Sequence, residues 1–324
     1  MSKIIMNPFT PIPKSPKSHV RGWATMWSQR LDAEIANKDT DVSLYEEIYI
    51  DHGVNFSGTM NLFGGYNTEV HNRVMQLVEA EQKGATLYSL DLPINEVGYV
   101  KQIEKRIGAA TTTKSEIDLY DIEESLYAAH TLTMGDLKLP KAIIGDSHCL
   151  AYSTKDQKID RRNGLTLYHV LNKIGLVPFI NKSFAKNSSE IDLCLGSIDI
   201  RHHVFRHEVD AGAFAHRYAR EIIKAQDYLE TAINPCTPVP IETIDRKIPN
   251  TGKYRGESYF GSMDQRIDFT QEFIDVLNDY IEFEVVSPPK KWYTMDPYVY
   301  EKEIMEHGGS VHISPVYYRS IRGW

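Results

Sequence analysis

Short apolar runs alternate with longer amphipathic stretches along this chain, and that rhythm limits what it can fold into. Residues 4–6, 47–50 and 86–90 read as buried strands. The first is followed by a predicted helix over 19–36 with Trp23, Trp27 and Leu31 at helical spacing. The second is followed by a helix containing Val70, Val74, Leu77 and Val78, and the third by a helix reaching residue 107. Strand and helix in strict alternation predict a parallel sheet joined by right-handed crossovers. Trp23 and Trp27 read as core residues rather than a stacking surface. Residues 109–139 break the rhythm with a polar stretch at 111–115 and an acidic helix over 118–130. They read as a bridge between an N-terminal α/β unit (1–108) and a second α/β domain (140–324).

The second domain opens with the apolar run 142–144, which ends abruptly in Gly145, Asp146, Ser147 and His148. Ligands of α/β proteins bind at the carboxyl ends of strands. A serine there, behind a glycine that permits a tight turn, is a candidate nucleophile, although the triplet alone is a weak signal. Further along, the sequence predicts a helix over 164–174, short strands at 177–180 and 191–195, and a long amphipathic helix over 213–232. Strands at 240–244 and 283–286, a helix over 270–281 capped by Asp268 and a helix near 297–307 complete the reading. Serine needs a base to take its proton and donors to stabilise developing oxyanion charge. Candidates fall at successive strand ends: Gly164, then Gly196 to Arg201, then His312.

The order of these blocks resembles the SGNH (GDSL-like) hydrolase family over about residues 140–320. Gly145, Asp146 and Ser147 match its nucleophile block, and Gly164 is a loose match to its glycine block. Gly196 and Asp199 match two positions of its third block. The stretch from Val311 to Tyr318, with His312 followed by an apolar residue, Ser314 and Pro315, resembles its final block. The resemblance implies a three-layer, mostly parallel α/β sheet of the SGNH/flavodoxin-like kind, preceded by an additional Rossmann-like α/β unit. It implies esterase or O-acyltransferase chemistry through an acyl-Ser147 intermediate, with His312 as base and then acid and Asp199 in the catalytic set. Gly164, Gly196, Arg201, His202 and His148 would line the oxyanion and substrate region. Two positions depart from the pattern. Ile198 stands where the family has its oxyanion asparagine, and Gly309 stands where it has the aspartate that orients the base. Arg201 or His202 could supply the missing donor, and Glu306, Asp296 or a backbone carbonyl the missing orienter.

Other features bound the function. A formal net charge of −8 disfavours bulk attraction to nucleic acid or anionic membranes. No apolar run approaches a membrane span and no secretory signal is evident. Cys149, Cys194 and Cys236, odd in number and widely spaced, fit reduced thiols in the cytoplasm. The histidines around 202–203 do not suggest a metal site, and no cofactor is expected. Asp51 and the glycine pair Gly64 and Gly65 follow a strand and precede a helix, where an anion could be held. Two alternatives therefore stand beside the esterase reading. One is a transferase handling sugars or nucleotides through the N-terminal unit; the other is a non-catalytic binding protein on a hydrolase fold. The substrate expected is a small polar molecule of carbohydrate or nucleotide type.

Overall fold

The computed structural model describes residues 2–8, 11–51, 68–91, 124–162, 164–238, 261–289, 302–306 and 312–317. The chain divides into two compact units, Met1–Asp136 and Leu137–Trp324. Each is built on an all-parallel sheet with helices, so the α/β class predicted from the alternation is observed.

In the first unit the strands are β1 (Lys3–Met6), β2 (Glu34–Ile35), β3 (Glu47–Ile50), β4 (Thr86–Leu90) and β5 (His130–Leu132), in spatial order β2-β1-β3-β4-β5. Ile4, Met6, Ile48, Ile50 and Leu87 pack with Val74, Leu77 and Val78 of the helix Thr68–Gln82. Side chains alternate across a strand, so Ile5 serves the opposite face. The helix His19–Leu31 packs against β1 and buries Trp23, Met26 and Trp27. Both tryptophans are thus core residues.

Two differences from the sequence reading arise here. The first helix stops at Asp32, whose left-handed backbone (φ 52°) caps it, and the expected helical tail at 34–35 is instead β2. Ser28 reinforces the stop: its hydroxyl donates to the Ala33 carbonyl at 2.6 Å. Residues 130–132, read as part of a bridge, are the fifth strand, paired to β4 through Tyr88, Ser89 and Leu90. The polar stretch at 111–115 lies outside the described residues, as do Gly64 and Gly65.

In the second unit β6 (Lys141–Gly145), β7 (Gln157–Arg161), β8 (Glu190–Cys194) and β9 (Ala232–Pro235) lie in the order β7-β6-β8-β9. One parallel bridge, Cys236 to Val286, continues the sheet beyond β9, at the place where the sequence predicts its last strand. One face carries Ala142, Ile144, Ile191, Leu193 and Ile233. They are buried against Phe214, Tyr218 and Ile222 of the helix Ala211–Leu229, behind which stand Phe269, Phe273 and Leu277 of the helix Met263–Asn278. Removing such side chains from water contributes about 2 kcal/mol each.

β7 was not legible as a strand because Gln157, Lys158, Asp160 and Arg161 leave no apolar run. It is an edge strand, where polar residues are tolerated. The stretch 177–180, expected as a strand, lies in the helix Leu176–Asn181, since a short apolar run has no periodicity to separate the two forms. The long helix ends at Glu230 in the left-handed region, freeing residues 232–235 to form β9. The helix Met263–Asn278 is capped by Ser262 in a reciprocal capping box with Gln265, not by Asp268. The expected strand at 240–244 lies outside the described residues. None of the helices among them is long and apolar enough to cross a membrane.

Candidate functional site

In a sheet whose order runs 2-1-3-4, the chain leaves the first and third strands toward opposite faces, and a crevice opens between their carboxyl ends. Here those ends are β6, followed by Asp146, Ser147 and His148, and β8, followed by the helix Ser197–His202. Gly145 closes the gap between them. A side chain at this position would put its Cβ 2.3 Å from the Cys194 carbonyl oxygen, so only glycine lets β6 approach so closely. The Asp146 N–H then donates to that same carbonyl at 3.1 Å.

The turn organises itself around a buried carboxylate. Asp146 Oδ1 accepts from the His148 backbone N–H and lies against His148 Nδ1, both at 2.9 Å. Asp146 is fully buried and His148 only 3% exposed. Burial alone would push the Asp146 carboxyl up. The His148 ring and N–H and the charge of Arg201 outweigh it, holding this carboxyl below the usual carboxylate range. A carboxylate on Nδ1 fixes that nitrogen as the donor and leaves Nε2 as the working atom of the ring. Ser147, between these two residues, is partly exposed.

His312 joins this turn from the far end of the chain. Its ring centroid lies 5.5 Å from that of His148, at an interplanar angle of 49°. Its Nδ1 stands 3.9 Å from Glu306 Oε2, an ion-pair distance rather than a hydrogen bond. The two residues face each other because Met305 and Ile313 form an antiparallel bridge, with the Glu306 N–H on the His312 carbonyl at 2.9 Å and the Ser314 N–H on the Ile304 carbonyl at 2.7 Å. Glu306 is therefore a carboxylate beside His312. Gly309 and Asp296 lie outside the described residues. The Ser147 hydroxyl makes no hydrogen bond to either ring among the described residues.

On the β8 side, Gly196 adopts φ +103° as it turns the chain into the helix, with Pro238 close to where a Cβ would stand. Asp199 is fully buried. Its two oxygens accept from the Leu167 and Tyr168 N–H groups at 2.7 and 2.8 Å, capping the helix that begins at Leu167. Burial dominates its titration and pushes it up to about 7, against the pull of those two N–H groups. The carboxylate is thus committed to fastening the 167–169 turn to the 197–202 helix. That is a clamp on the scaffold around the end of β8.

Arg201 turns inward, 6% exposed, with Nε donating to the Ser197 carbonyl at 3.0 Å and its charge felt at Asp146. His202 is half-buried, its ring edge-on to His203 at 6.5 Å. His203 stacks on His207 and His207 on Tyr168, with centroids 6.1 and 5.4 Å apart. Gly164 sits on an exposed turn with φ +73°. Among the described residues no three His, Cys, Asp or Glu side chains converge as metal ligands. Cys149, Cys194 and Cys236 are buried free thiols.

In the first unit Asp51 is buried at the carboxyl end of β3, where its N–H donates to the Met6 carbonyl at 2.8 Å and ties β3 to β1. A cleft beside the end of β1 is lined by Asn7, Asn37, Thr40, Arg73 and Gln76 among apolar neighbours. Arg73 Nε donates to the Pro8 carbonyl at 3.0 Å and its terminal nitrogen to Glu69 at 3.1 Å.

The pairing of Asp146 with His148 was the main feature missed from the sequence, where Asp146 enters only as part of the Gly145-Asp146-Ser147 block. The available signal was the Asp-x-His spacing, which lets one carboxylate oxygen reach both the backbone N–H and the ring two residues on. No protein-family model, curated protein or solved structure matches the chain.

Proposed function

We propose that the second unit is an SGNH-like serine esterase or O-acyltransferase acting on a polar substrate of carbohydrate or nucleotide type through an acyl-Ser147 intermediate. The observation that carries this reading is the convergence at one strand end. Ser147 follows β6 next to His148, whose ring lies 5.5 Å from that of His312, and each of these rings faces a carboxylate. The strand order β7-β6-β8-β9 supports it, since that order opens a crevice at this edge. His312 is the base and then the acid, with Glu306 in the place that Gly309 vacates. Asp199 acts at one remove by holding the turn that carries Gly164 against the helix that carries Arg201. With Ile198 unable to donate, the charge of Arg201 is the candidate stabiliser of the oxyanion.

A fluorophosphonate reagent phosphonylates an activated serine and leaves ordinary serines alone. The protein is expected to be labelled at Ser147, identified by peptide mass spectrometry, and the Ser147→Ala protein to remain unlabelled. An unmodified Ser147 in folded protein, under conditions that label a serine esterase, excludes the reading and favours the binding-protein alternative.

A second reading, a nucleotide- or sugar-handling activity of the first unit, rests on its parallel α/β sheet; the cleft at the end of β1, with Arg73 and Asn7 on its wall, is water-sized and would have to open to admit such a ligand. It expects a nucleotide or nucleotide sugar to raise the melting temperature, by an amount that grows with ligand concentration and shrinks in Arg73→Gln. An unchanged melting temperature across a panel of such ligands removes this reading.

A further inference from the structure

We propose that His148, oriented by Asp146, is a second catalytic acid–base group, and that it serves the leaving and accepting oxygens of the transfer while His312 serves Ser147. The inference rests on the acyl-Ser147 reading and goes beyond it, because one histidine would suffice for a simple serine hydrolase. It stands on geometry. Two imidazoles with centroids 5.5 Å apart each face a carboxylate: Asp146 hydrogen-bonds His148 Nδ1 at 2.9 Å, and Glu306 stands 3.9 Å from His312 Nδ1. The hydrogen bond at Nδ1 directs the acid–base role of His148 to Nε2. The tighter of the two pairs belongs to His148, the residue the sequence assigned only to substrate contact. A carboxylate buried against an imidazole is costly to keep unless the ring bears charge during turnover. Asp146 is fully buried.

The proton balance closes with two rings. In acylation, Ser147 Oγ bonds to the acyl carbon and its proton passes to His312 Nε2. The bond from the acyl carbon to the leaving oxygen breaks, the electron pair goes to that oxygen, and the oxygen takes the Nε2 proton of a protonated His148. In the second half, the acceptor hydroxyl gives its proton to His148 Nε2 as its oxygen bonds to the acyl carbon. The bond to Ser147 Oγ breaks, and Oγ recovers its proton from His312. Both rings return to their starting states and no other reactant is consumed. Separate groups for the two oxygens suit an acyltransferase, since the acceptor's base is ready while His312 still holds the serine proton.

The test compares an alkyl acetate, whose leaving oxygen needs a proton, with p-nitrophenyl acetate, whose leaving group does not. In His148→Gln, turnover of the alkyl ester is expected to fall about 100-fold or more. The p-nitrophenolate burst from the activated ester should remain, followed by slow deacylation, so that acetyl-Ser147 accumulates and is seen by mass spectrometry. His312→Gln is expected to abolish the burst. Asp146→Asn, which keeps the shape of the turn, should show the same dependence on leaving group more weakly, and it decides the matter if His148→Gln does not fold. Equal slowing of the burst and of alkyl-ester turnover in these variants would overturn the proposal and leave His312 as the sole acid–base group. A wild-type protein that is never acetylated at Ser147 would overturn the underlying reading as well, and the two failures are told apart by that wild-type measurement.

Discussion

Replacing Gly145 with alanine is expected to cost the second unit about 3–4 kcal/mol of stability, a large effect for a single added methyl. The new Cβ would fall 2.3 Å from the Cys194 carbonyl oxygen and 2.6 Å from its Cβ. Neither neighbour can swing away, because that carbonyl is held in the β6–β8 ladder and accepts the Asp146 N–H. Relief therefore requires the ends of β6 and β8 to part. The turn from Asp146 to His148 begins at that end, so function should fall further than stability alone explains. Urea unfolding of the two proteins measures the first effect, and Ser147 labelling by fluorophosphonate at a temperature where the variant is folded measures the second. A stability loss below about 1 kcal/mol would mean that the strands are not so tightly joined.

The second unit is expected to be more stable at pH 5 than at pH 8 by about 2–4 kcal/mol, the reverse of the trend for a protein held by salt-bridged carboxylates. Burial pushes Asp199 up to about 7 and Asp192 up to about 6. Both start near 3.8 in the unfolded chain. A carboxyl whose folded pKa is raised binds its proton more tightly when folded. Its contribution is complete below the unfolded value and is lost as pH rises through 6 and 7. Asp192 sits between Gln157 and Asn234, which hydrogen-bond it at 2.6 and 3.4 Å but do not neutralise it. Asp146 and Asp156 are shifted the other way, so their contributions fail only in more acidic solution and bound the effect from below. The urea midpoint measured from pH 5 to pH 8 checks this. Asp199→Asn should be less stable at pH 5, because its amide faces one of the two N–H groups it must satisfy, and should lose most of the slope near pH 7. A wild-type midpoint that rises across this range would contradict the assignment.

Much of the architecture was legible along the chain, for reasons visible in particular segments. The runs at 4–6, 47–50, 86–90, 142–144 and 191–195 are apolar, short and bounded by polar residues, and each is a buried strand. The helix Ala211–Leu229 advertises one apolar face with Phe214, Tyr218 and Ile222. Where pattern and structure part, the reason is local. β7 is polar because it lies at an edge. Residues 176–181 are apolar on too short a span to reveal a period. β2 and β9 follow helices that stop at Asp32 and Glu230, both left-handed, and no sequence rule would select those residues for that conformation.

The candidate site divides along the same line. The sequence by itself determined that a serine and two histidines follow apolar runs, and that Ile198 and Gly309 stand where an SGNH-like reading would expect asparagine and aspartate. Those are properties of the order of residues. Only the tertiary structure decided which groups meet. It turned Asp199 into a clamp on the Leu167 and Tyr168 N–H groups, drew Arg201 inward toward Asp146, and set Glu306 beside His312 across an antiparallel bridge. It also brought the His148 and His312 rings within 5.5 Å, although 164 positions separate them in the chain. Hydrogen bonds and desolvation act over a few ångströms of space whatever the separation along the chain, so these pairings exist only once β6 and β8 lie side by side.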